Sequence, residues 1–251
     1  MEPYQWATGY SDKRTYVFHS TDNARTWLDP VHVDISPYRS GCQLRPIIEL
    51  TDGTLLLPCY EEFYRAPTRQ AKSETWDGVE RTWSAFCCRS RDGGNTWGDA
   101  TEIAAHKDLG FNEPSLIQLP SGKILALLRT STGRWLYQCE SVDSGYTWTD
   151  PQKTRLFGHP ADLRLLSNGK LLATYGRRRA PFGIRACTSI DEGKTWDIDN
   201  EIVLRDDFKN GDLGYPTTTE LEDGILLTAY YGRDENNDVT CIQGTFWKLA
   251  S

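Results

Sequence analysis

The sequence predicts an all-β protein, a propeller of four four-stranded blades preceded by a partial N-terminal blade. Two interleaved repeats predict this fold, together with the lack of sustained helical periodicity. One repeat is an apolar run, a turn pair and a second apolar run, and the other is a short box, Ser-x-Asp-x-Gly-x-Thr-Trp. Units of roughly 40–50 residues with two hairpins each are typical of antiparallel propeller blades.

The first repeat predicts the inner hairpin of each blade. Its apolar runs are rich in Ile, Leu, Val, Thr and Tyr, as strands require. The four copies are PIIELTDGTLLLPCY, PSLIQLPSGKILALL, ADLRLLSNGKLLATY and TTTELEDGILLTAYY. Each turn pair ends in glycine (Gly53, Gly122, Gly169 or Gly224). Glycine supplies the positive φ of a tight hairpin turn.

The box repeat predicts the outer hairpin. Three copies are SRDGGNTWG, SVDSGYTWT and SIDEGKTWD, and a fourth, STDNARTWL, has Ala24 where the others have glycine. We interpret the box as scaffold. Its Asp is expected to accept backbone N–H bonds across the turn, its Gly to be left-handed and its Trp to pack between sheets. Alanine in the left-handed conformation costs about 1–2 kcal/mol.

The repeats divide one domain, residues 1–251, into five parts. The predicted ranges are 1–36 for the partial blade, then 37–104, 105–155, 156–206 and 207–251 for the four blades. With 38% hydrophobic residues, nine Trp and twelve Tyr, the chain can form a large core.

The composition of the chain indicates which classes of binding partner are unfavourable. A net charge of −7 argues against nucleic acid or anionic lipid. The apolar runs are strand-sized and the chain start lacks a basic region with an apolar core, so we expect neither a membrane span nor a signal peptide. Compartment and oligomeric state stay open. Cys88, Cys139 and Cys187 each lie two residues before a box serine and are interpreted as buried fillers. Without C-x-x-C spacing we expect no metal, and no cofactor.

Antiparallel topology sorts the loops onto two faces. The glycine turns join strands one and two, and the boxes join strands three and four, so both lie on one face. The opposite face collects the starts of first strands and the ends of second strands. Nine residues before the turn glycines lie Leu44, Glu113, Pro160 and Tyr215, and seven residues after them lie Tyr60, Arg129, Gly176 and Tyr231. Arg177, Arg178 and Arg179 follow the third blade's second strand.

These residue types favour one chemistry. Arginine forks bind carboxylates bidentately and keep their charge. A carboxylate substrate would repel a carboxylate nucleophile, whereas a neutral phenol avoids the repulsion but needs a nearby base. Tyr215 with Glu113 fits that requirement.

The chain resembles the sialidase superfamily, whose repeats are Asp-box (BNR) repeats and whose fold is a six-bladed propeller. In this superfamily a triad of arginines binds the substrate carboxylate. NEPSLIQLPSGKILALLR is similar to the segment that carries the tyrosine-activating Glu and one arginine of that triad. The resemblance implies these roles for Glu113 and Arg129. GYPTTTELEDG resembles the nucleophile segment and implies Tyr215. The third triad Arg is assigned to Arg179, with Arg177 and Arg178 as rivals.

The chain departs from the family at several points. It is expected to begin inside the family's second blade, so the Arg-Ile-Pro motif and the catalytic acid Asp of the first blade have no counterpart. The order Arg45-Pro46-Ile47 is not that motif. Asp12 lies in a loop that could face the site. HPADLRLL differs from typical sialidase fifth blades.

The resemblance implies a retaining exo-glycoside hydrolase that removes a terminal acidic sugar, most simply sialic acid, from a glycan. Two alternatives remain: a non-catalytic glycan-binding propeller, and a lyase or hydrolase acting on acidic polysaccharide.

Overall fold

Five antiparallel sheets make up the computed structural model, which describes residues 14–65, 80–233 and 239–249. Within those ranges the helical segments are two 3₁₀ turns, Ile198–Asn200 and Glu222–Gly224. The predicted fold class, an all-β propeller with a partial N-terminal sheet, is confirmed. No helix in the described ranges is both long and apolar enough to cross a membrane.

The sheets follow one another along the chain. The N-terminal sheet pairs β1 (Tyr16–Val17) with β2 (Val31–His32). The first blade contains β3 (Ile48–Glu49), β4 (Leu55–Arg65), β5 (Glu80–Ser90) and β6 (Gly98–Ala105). The second contains β7 (Phe111–Gln118), β8 (Ile124–Thr130), β9 (Trp135–Ser141) and β10 (Gln152–Phe157). The third contains β11 (Ala161–Leu165), β12 (Leu171–Arg177), β13 (Phe182–Ser189) and β14 (Ile202–Phe208). The fourth contains β15 (Gly214–Glu220), β16 (Leu226–Arg233) and β17 (Thr240–Trp247).

The fourth blade has three strands in the described residues, whereas the sequence predicted four. In the other blades the third and fourth strands are joined by a box. No box occurs between Gly224 and Ser251.

The glycine turns need glycine for its backbone conformation. Gly53, Gly122, Gly169 and Gly224 have φ of 83°, 84°, 81° and 67°. A Cβ added at any of them would meet nothing within 4 Å. Space is therefore available, and the positive φ alone excludes most side chains.

The boxes are local hydrogen-bonded turns, as predicted. In the third blade the N–H of Gly193 donates to Ser189 Oγ at 2.9 Å, and the N–H of Thr195 donates to Asp191 Oδ1 at 2.9 Å. The Thr195 hydroxyl donates to the other carboxylate oxygen at 2.6 Å. The other three boxes repeat this pattern.

The box tryptophans follow the prediction except in the N-terminal copy. Trp97 and Trp196 are buried in the cores beside their sheets. Trp27 is 59% exposed, contrary to the expected packing. It lies in the connection between the two short strands β1 and β2, which offer too little surface to cover a large ring.

Ala24 is expected to destabilise its turn, because it holds φ at 62°. Changing Ala24 to Gly should raise the free energy of unfolding by about 0.5–1 kcal/mol, the left-handed strain less the added entropy of the unfolded chain. The reverse change serves as the control: Gly94→Ala introduces a Cβ at φ 89° and 2.4 Å from the His19 ring. It should lower stability by at least about 1–2 kcal/mol. Urea unfolding measures both, and a loss of stability in Ala24→Gly would contradict the interpretation.

Apolar clusters between successive sheets hold the blades together. Leu56 of the first blade and Leu128 of the second belong to one cluster, and Leu127 and Leu171 join the second blade to the third in another. Cys88, Cys139 and Cys187 are buried as predicted, the first beside the N-terminal sheet.

Candidate active site

The start of the first strand in each blade carries an X-Pro pair. The four pairs are Arg45-Pro46, Glu113-Pro114, His159-Pro160 and Tyr215-Pro216. Their prolines precede the turn glycines by seven, eight, nine and eight residues. Four blades therefore supply four polar side chains from equivalent positions. Hydrogen bonds and ring contacts join Arg45, Glu113 and Tyr215, and the backbone of His159 lies beside the segment of Tyr215.

Tyr215, Glu113 and Arg129 form the centre of the cluster. The Tyr215 hydroxyl donates to Glu113 Oε1 at 2.5 Å. Arg129 Nη1 donates to both carboxylate oxygens of Glu113, at 2.9 and 2.8 Å, and to the Tyr215 hydroxyl at 3.4 Å. Glu113 is only 5% exposed. The structure thus brings together three of the four residues that the sequence predicted, from β7, β8 and β15.

Backbone strain positions both Glu113 and Tyr215. Their φ values are 45° and 49°, in the left-handed region that residues other than glycine rarely adopt. Each lies in a register shift of its first strand, in the same place in the two blades. Such bulges re-aim side chains and recur beside functional sites, where the surrounding structure maintains the strain.

Among the three consecutive arginines, Arg178 is the one beside Tyr215. Its guanidinium lies over the Tyr215 ring, 5.6 Å from the centroid. Arg177 instead lies over the Phe157 ring at 5.5 Å. Arg179, the residue assigned from the sequence, is exposed and makes no hydrogen bond or ion pair with the described part of the chain. Alternation along an extended backbone separates neighbouring side chains, and the repeat spacing could not determine which one turns inward.

Two hydrogen bonds fix Arg178 in place. Its Nε donates to the Leu213 carbonyl at 2.9 Å and its Nη2 donates to the Tyr231 hydroxyl at 3.1 Å. Leu213 lies just before Tyr215 in the chain, and Tyr231 lies in β16, the strand paired with β15. Arg178 therefore connects the third and fourth blades.

Arg45 belongs to the cluster, although its order Arg45-Pro46-Ile47 does not match the family's Arg-Ile-Pro motif. Its Nη1 donates to the Pro216 carbonyl at 2.8 Å, and the guanidinium lies 5.9 Å from the Tyr215 ring centroid. Asp162 lies 3.8 Å from Nη1, and this ion pair is buried, with side chains 3% and 5% exposed. Asp162 also accepts the N–H of Thr218 at 2.9 Å. Burial lowers the pKa of Arg45 and raises the pKa of Asp162, because each loses water that its partner replaces only in part.

Unpartnered polar atoms concentrate in this cluster. Within the described residues, the buried side-chain nitrogens and oxygens without a hydrogen-bond partner belong to five residues. They are Arg45 Nε and Nη2, Arg129 Nε, Asn112 Oδ1, both ring nitrogens of His159, and Arg177 Nε. Asn112 precedes Glu113 in β7. Buried polar atoms are normally paired, so a set of orphans in one place points to a ligand site.

The arginines beside Tyr215 favour its phenolate, yet the pKa of Tyr215 is raised. Burial, with the Glu113 carboxylate second, raises the pKa of Tyr215 to about 12, and the opposing effects of Arg129 and Arg178 are smaller. The side chain is therefore a neutral phenol at pH 7 that needs its base, Glu113, to act as a nucleophile.

The X-Pro pairs are the signal that could have identified Arg45 and His159. Counting nine residues back from the turn glycine found Glu113 and Tyr215 but reached Leu44 and Pro160 in the other blades. Leu44 is 46% exposed. The interval ranges from seven to nine residues among the blades, so a fixed count misses the residue before proline in the first and third blades. Asp12, the other candidate, lies outside the described residues.

No group of three or more His, Cys, Asp or Glu residues suited to a metal ion occurs in the described ranges. The chemistry available to the cluster from its own side chains is a phenol paired with a carboxylate, a surrounding set of guanidinium groups and a buried imidazole.

The fold and the cluster define the class: an Asp-box propeller whose polar side chains converge where first strands begin. A family model described as a BNR repeat-like domain matches residues 2–228, so the chain belongs to this family. The predicted place in the Asp-box superfamily is thereby confirmed. A search of curated proteins found no match.

Solved structures show the same fold. A protein of unknown function from Dyadobacter fermentans is 28% identical with a TM-score of 0.79, over 94% of this chain and 64% of that one. The Hadza microbial sialidase Hz136 is 20% identical with a TM-score of 0.64, over 92% and 43%. The α-L-arabinanase of Penicillium chrysogenum, solved with arabinobiose, is 18% identical with a TM-score of 0.57, over 93% and 66%. The chain spans less than two thirds of each of these proteins.

Proposed function

We propose that the chain carries the site of a retaining exo-glycoside hydrolase that removes a terminal acidic sugar, most simply sialic acid. The observation that carries the proposal is the hydrogen bond of 2.5 Å from the Tyr215 hydroxyl to Glu113, within a group of arginines. A propeller fold shared with a sialidase and an arabinanase agrees with a glycan substrate. A tyrosine nucleophile is a known alternative to the usual pair of carboxylates in glycosidases.

The geometry suits nucleophilic attack by Tyr215. Glu113 takes the phenolic proton while Tyr215 Oη bonds to the anomeric carbon and the bond to the leaving group breaks. Water then attacks the anomeric carbon of the aryl glycoside, the phenolate leaves and regains its proton from Glu113, and the proton lost by the water passes to bulk solvent. Two inversions retain the configuration. Arg129 holds both Glu113 oxygens and thereby orients the base towards the phenol.

The arginines favour a carboxylate on the substrate. Arg45, Arg129 and Arg178 come from three blades and lie around the Tyr215 side chain. Two of them have buried nitrogens with no partner in the described residues. Guanidinium groups have donors only, so a carboxylate supplies the acceptors that they lack.

A fluorogenic aryl sialoside tests the proposal. Its phenolate leaving group departs without protonation, so the assay does not depend on a separate catalytic acid. We expect release of the fluorophore with retained configuration at the anomeric carbon. Binding of sialic acid without turnover would favour the non-catalytic glycan-binding alternative. Unsaturated products from a uronic acid polysaccharide, which absorb in the near ultraviolet, would favour a lyase.

Substrate binding by arginine has a matched control in the neighbouring residue. Changing Arg178 to Ala should weaken binding of sialic acid by about 1.5–3 kcal/mol, because a charge-assisted hydrogen bond is lost. Changing the exposed Arg179 to Ala should have little effect. Calorimetric titration with sialic acid and with a neutral sugar measures both variants. An equal loss for the two ligands, or for the two variants, would contradict the carboxylate assignment.

A further inference from the structure

His159 occupies, in the third blade, the X-Pro position that supplies Glu113 and Tyr215 in two other blades. His159 is 8% exposed, and neither nitrogen of its ring has a hydrogen-bond partner in the described part of the protein. A buried imidazole without partners is destabilising, so such a group is expected to meet a ligand.

The backbone brings His159 close to the segment of Tyr215. The N–H of His159 donates to the Gly176 carbonyl at 2.8 Å. A Cβ at Gly176 would lie 3.0 Å from the His159 carbonyl oxygen and 3.1 Å from the Cα of Gly214, the residue before Tyr215. Glycine at position 176 therefore allows the backbone at His159, before β11, to lie close to the backbone at Gly214, where β15 begins.

The charges around His159 belong to the same cluster and to the loop beside it. Burial, followed by the positive charges of Arg129, Arg178 and Arg134, lowers the pKa of His159 to about 3. Arg129 and Arg178 are also the arginines that flank Tyr215. The imidazole is consequently neutral at pH 7, with one nitrogen that donates and one that accepts.

The accepting nitrogen is one of two unpartnered acceptors in the cluster, and Asn112 Oδ1 is the other. The unpartnered atoms of Arg45 and Arg129 can only donate. The carboxylate of Glu113 already accepts from Tyr215 and Arg129, and that of Asp162 already accepts from the Thr218 N–H. A hydroxyl on the substrate needs an acceptor beside the arginines that hold the carboxylate.

We propose that His159 binds the substrate by accepting a hydrogen bond from one hydroxyl of the acidic sugar, and so selects the sugar by the position of that hydroxyl. This inference rests on the proposed function and adds to it a specificity-determining residue. A neutral hydroxyl partner also explains why an imidazole is used where the other polar groups are charged.

Mono-deoxy analogues of sialic acid provide the test on the intact chain. Calorimetric titration of the unmodified protein should show one analogue, lacking the recognised hydroxyl, binding roughly 5- to 10-fold more weakly than the parent sugar. His159→Phe keeps a planar ring without the acceptor and should weaken the parent sugar by a similar factor. It should no longer distinguish the parent from that analogue, while its losses for the other analogues match those of the unmodified protein.

His159→Gln restores a donor and an acceptor and should recover part of the discrimination between the parent sugar and that analogue. The inference is overturned if the unmodified protein binds every mono-deoxy analogue within about twofold of the parent. That comparison needs no substitution, so it decides the matter even if His159→Phe does not fold. Unchanged binding of the parent by a folded His159→Phe variant also overturns it.

The two proposals fail in different ways. If Arg178→Ala loses sialic acid binding but His159→Phe does not, only the role of His159 is refuted. If the unmodified protein binds no acidic sugar, the proposed function fails, and the inference fails with it.

Discussion

Changing Tyr215 to Phe should reduce turnover of an aryl sialoside by about 10²-fold or more, while the fold persists. The substitution keeps the ring beside Arg45 and Arg178 and removes only the oxygen that attacks. The lost hydrogen bond to Glu113 should change the free energy of unfolding by no more than about 0.5–1.5 kcal/mol. Initial rates and urea unfolding of the same preparation measure the two effects separately.

Tyr230 provides the control for Tyr215. It lies in β16, is buried, and shares a hydrogen bond of 2.7 Å with the Thr245 hydroxyl, away from the cluster. Tyr230→Phe should leave turnover unchanged and lower stability slightly. Kept turnover in Tyr215→Phe would contradict the assignment. Trapping with a fluorinated sialoside gives the direct test, since a label on any residue other than Tyr215 would refute it.

The buried ion pair of Arg45 and Asp162 predicts the largest effect on stability. Changing Asp162 to Asn keeps an acceptor for the Thr218 N–H but leaves Arg45 charged, buried and without its carboxylate. Arginine cannot lose its proton, so the free energy of unfolding should fall by about 3–5 kcal/mol. The exposed pair of Arg155 and Asp199 is the control, and Asp199→Asn should cost about 0–1 kcal/mol. Thermal or urea unfolding distinguishes these outcomes.

The partner substitution should behave differently with pH. Arg45→Met leaves Asp162, whose pKa burial already raises above 3.8 and should raise further without the arginine. When the pKa of a group is higher in the folded state than in the unfolded state, its protonated form stabilises the fold. That contribution to the free energy of unfolding is complete below the unfolded-state pKa and is lost as the pH rises through the folded-state pKa. The loss in Arg45→Met should therefore shrink as pH falls from 7 towards 4, while that in Asp162→Asn should not. The same pH dependence in both variants would contradict this account.

The blades could be predicted because their signals are local. A box is closed by hydrogen bonds between residues two to four apart in sequence, as at Ser189 and Asp191. A glycine turn is defined by a single φ. Neither depends on distant parts of the chain, so the sequence repeats contain the pattern. Among the described residues, the number of strands differs from the predicted four only in the blade without a box.

The site could be predicted only in part, because its contacts join distant segments. Arg45 reaches the carbonyl of Pro216 across 171 positions, and no local pattern encodes that contact. Which arginine of a consecutive run turns towards Tyr215 depends on the twist of β12 and the loop after it. The raised pKa of Tyr215 follows from how deeply the ring is buried, which residue types alone do not specify.

The separation of the boxes from the X-Pro residues gives the protein a modular character. The boxes close the outer hairpins of the first three blades at one end of their strands, and the four X residues lie at the other end, one per blade. A change of side chain at an X position leaves the hydrogen bonds of every box untouched. A substitution at an X position that preserves local packing therefore alters the cluster without altering the turns that build the blades.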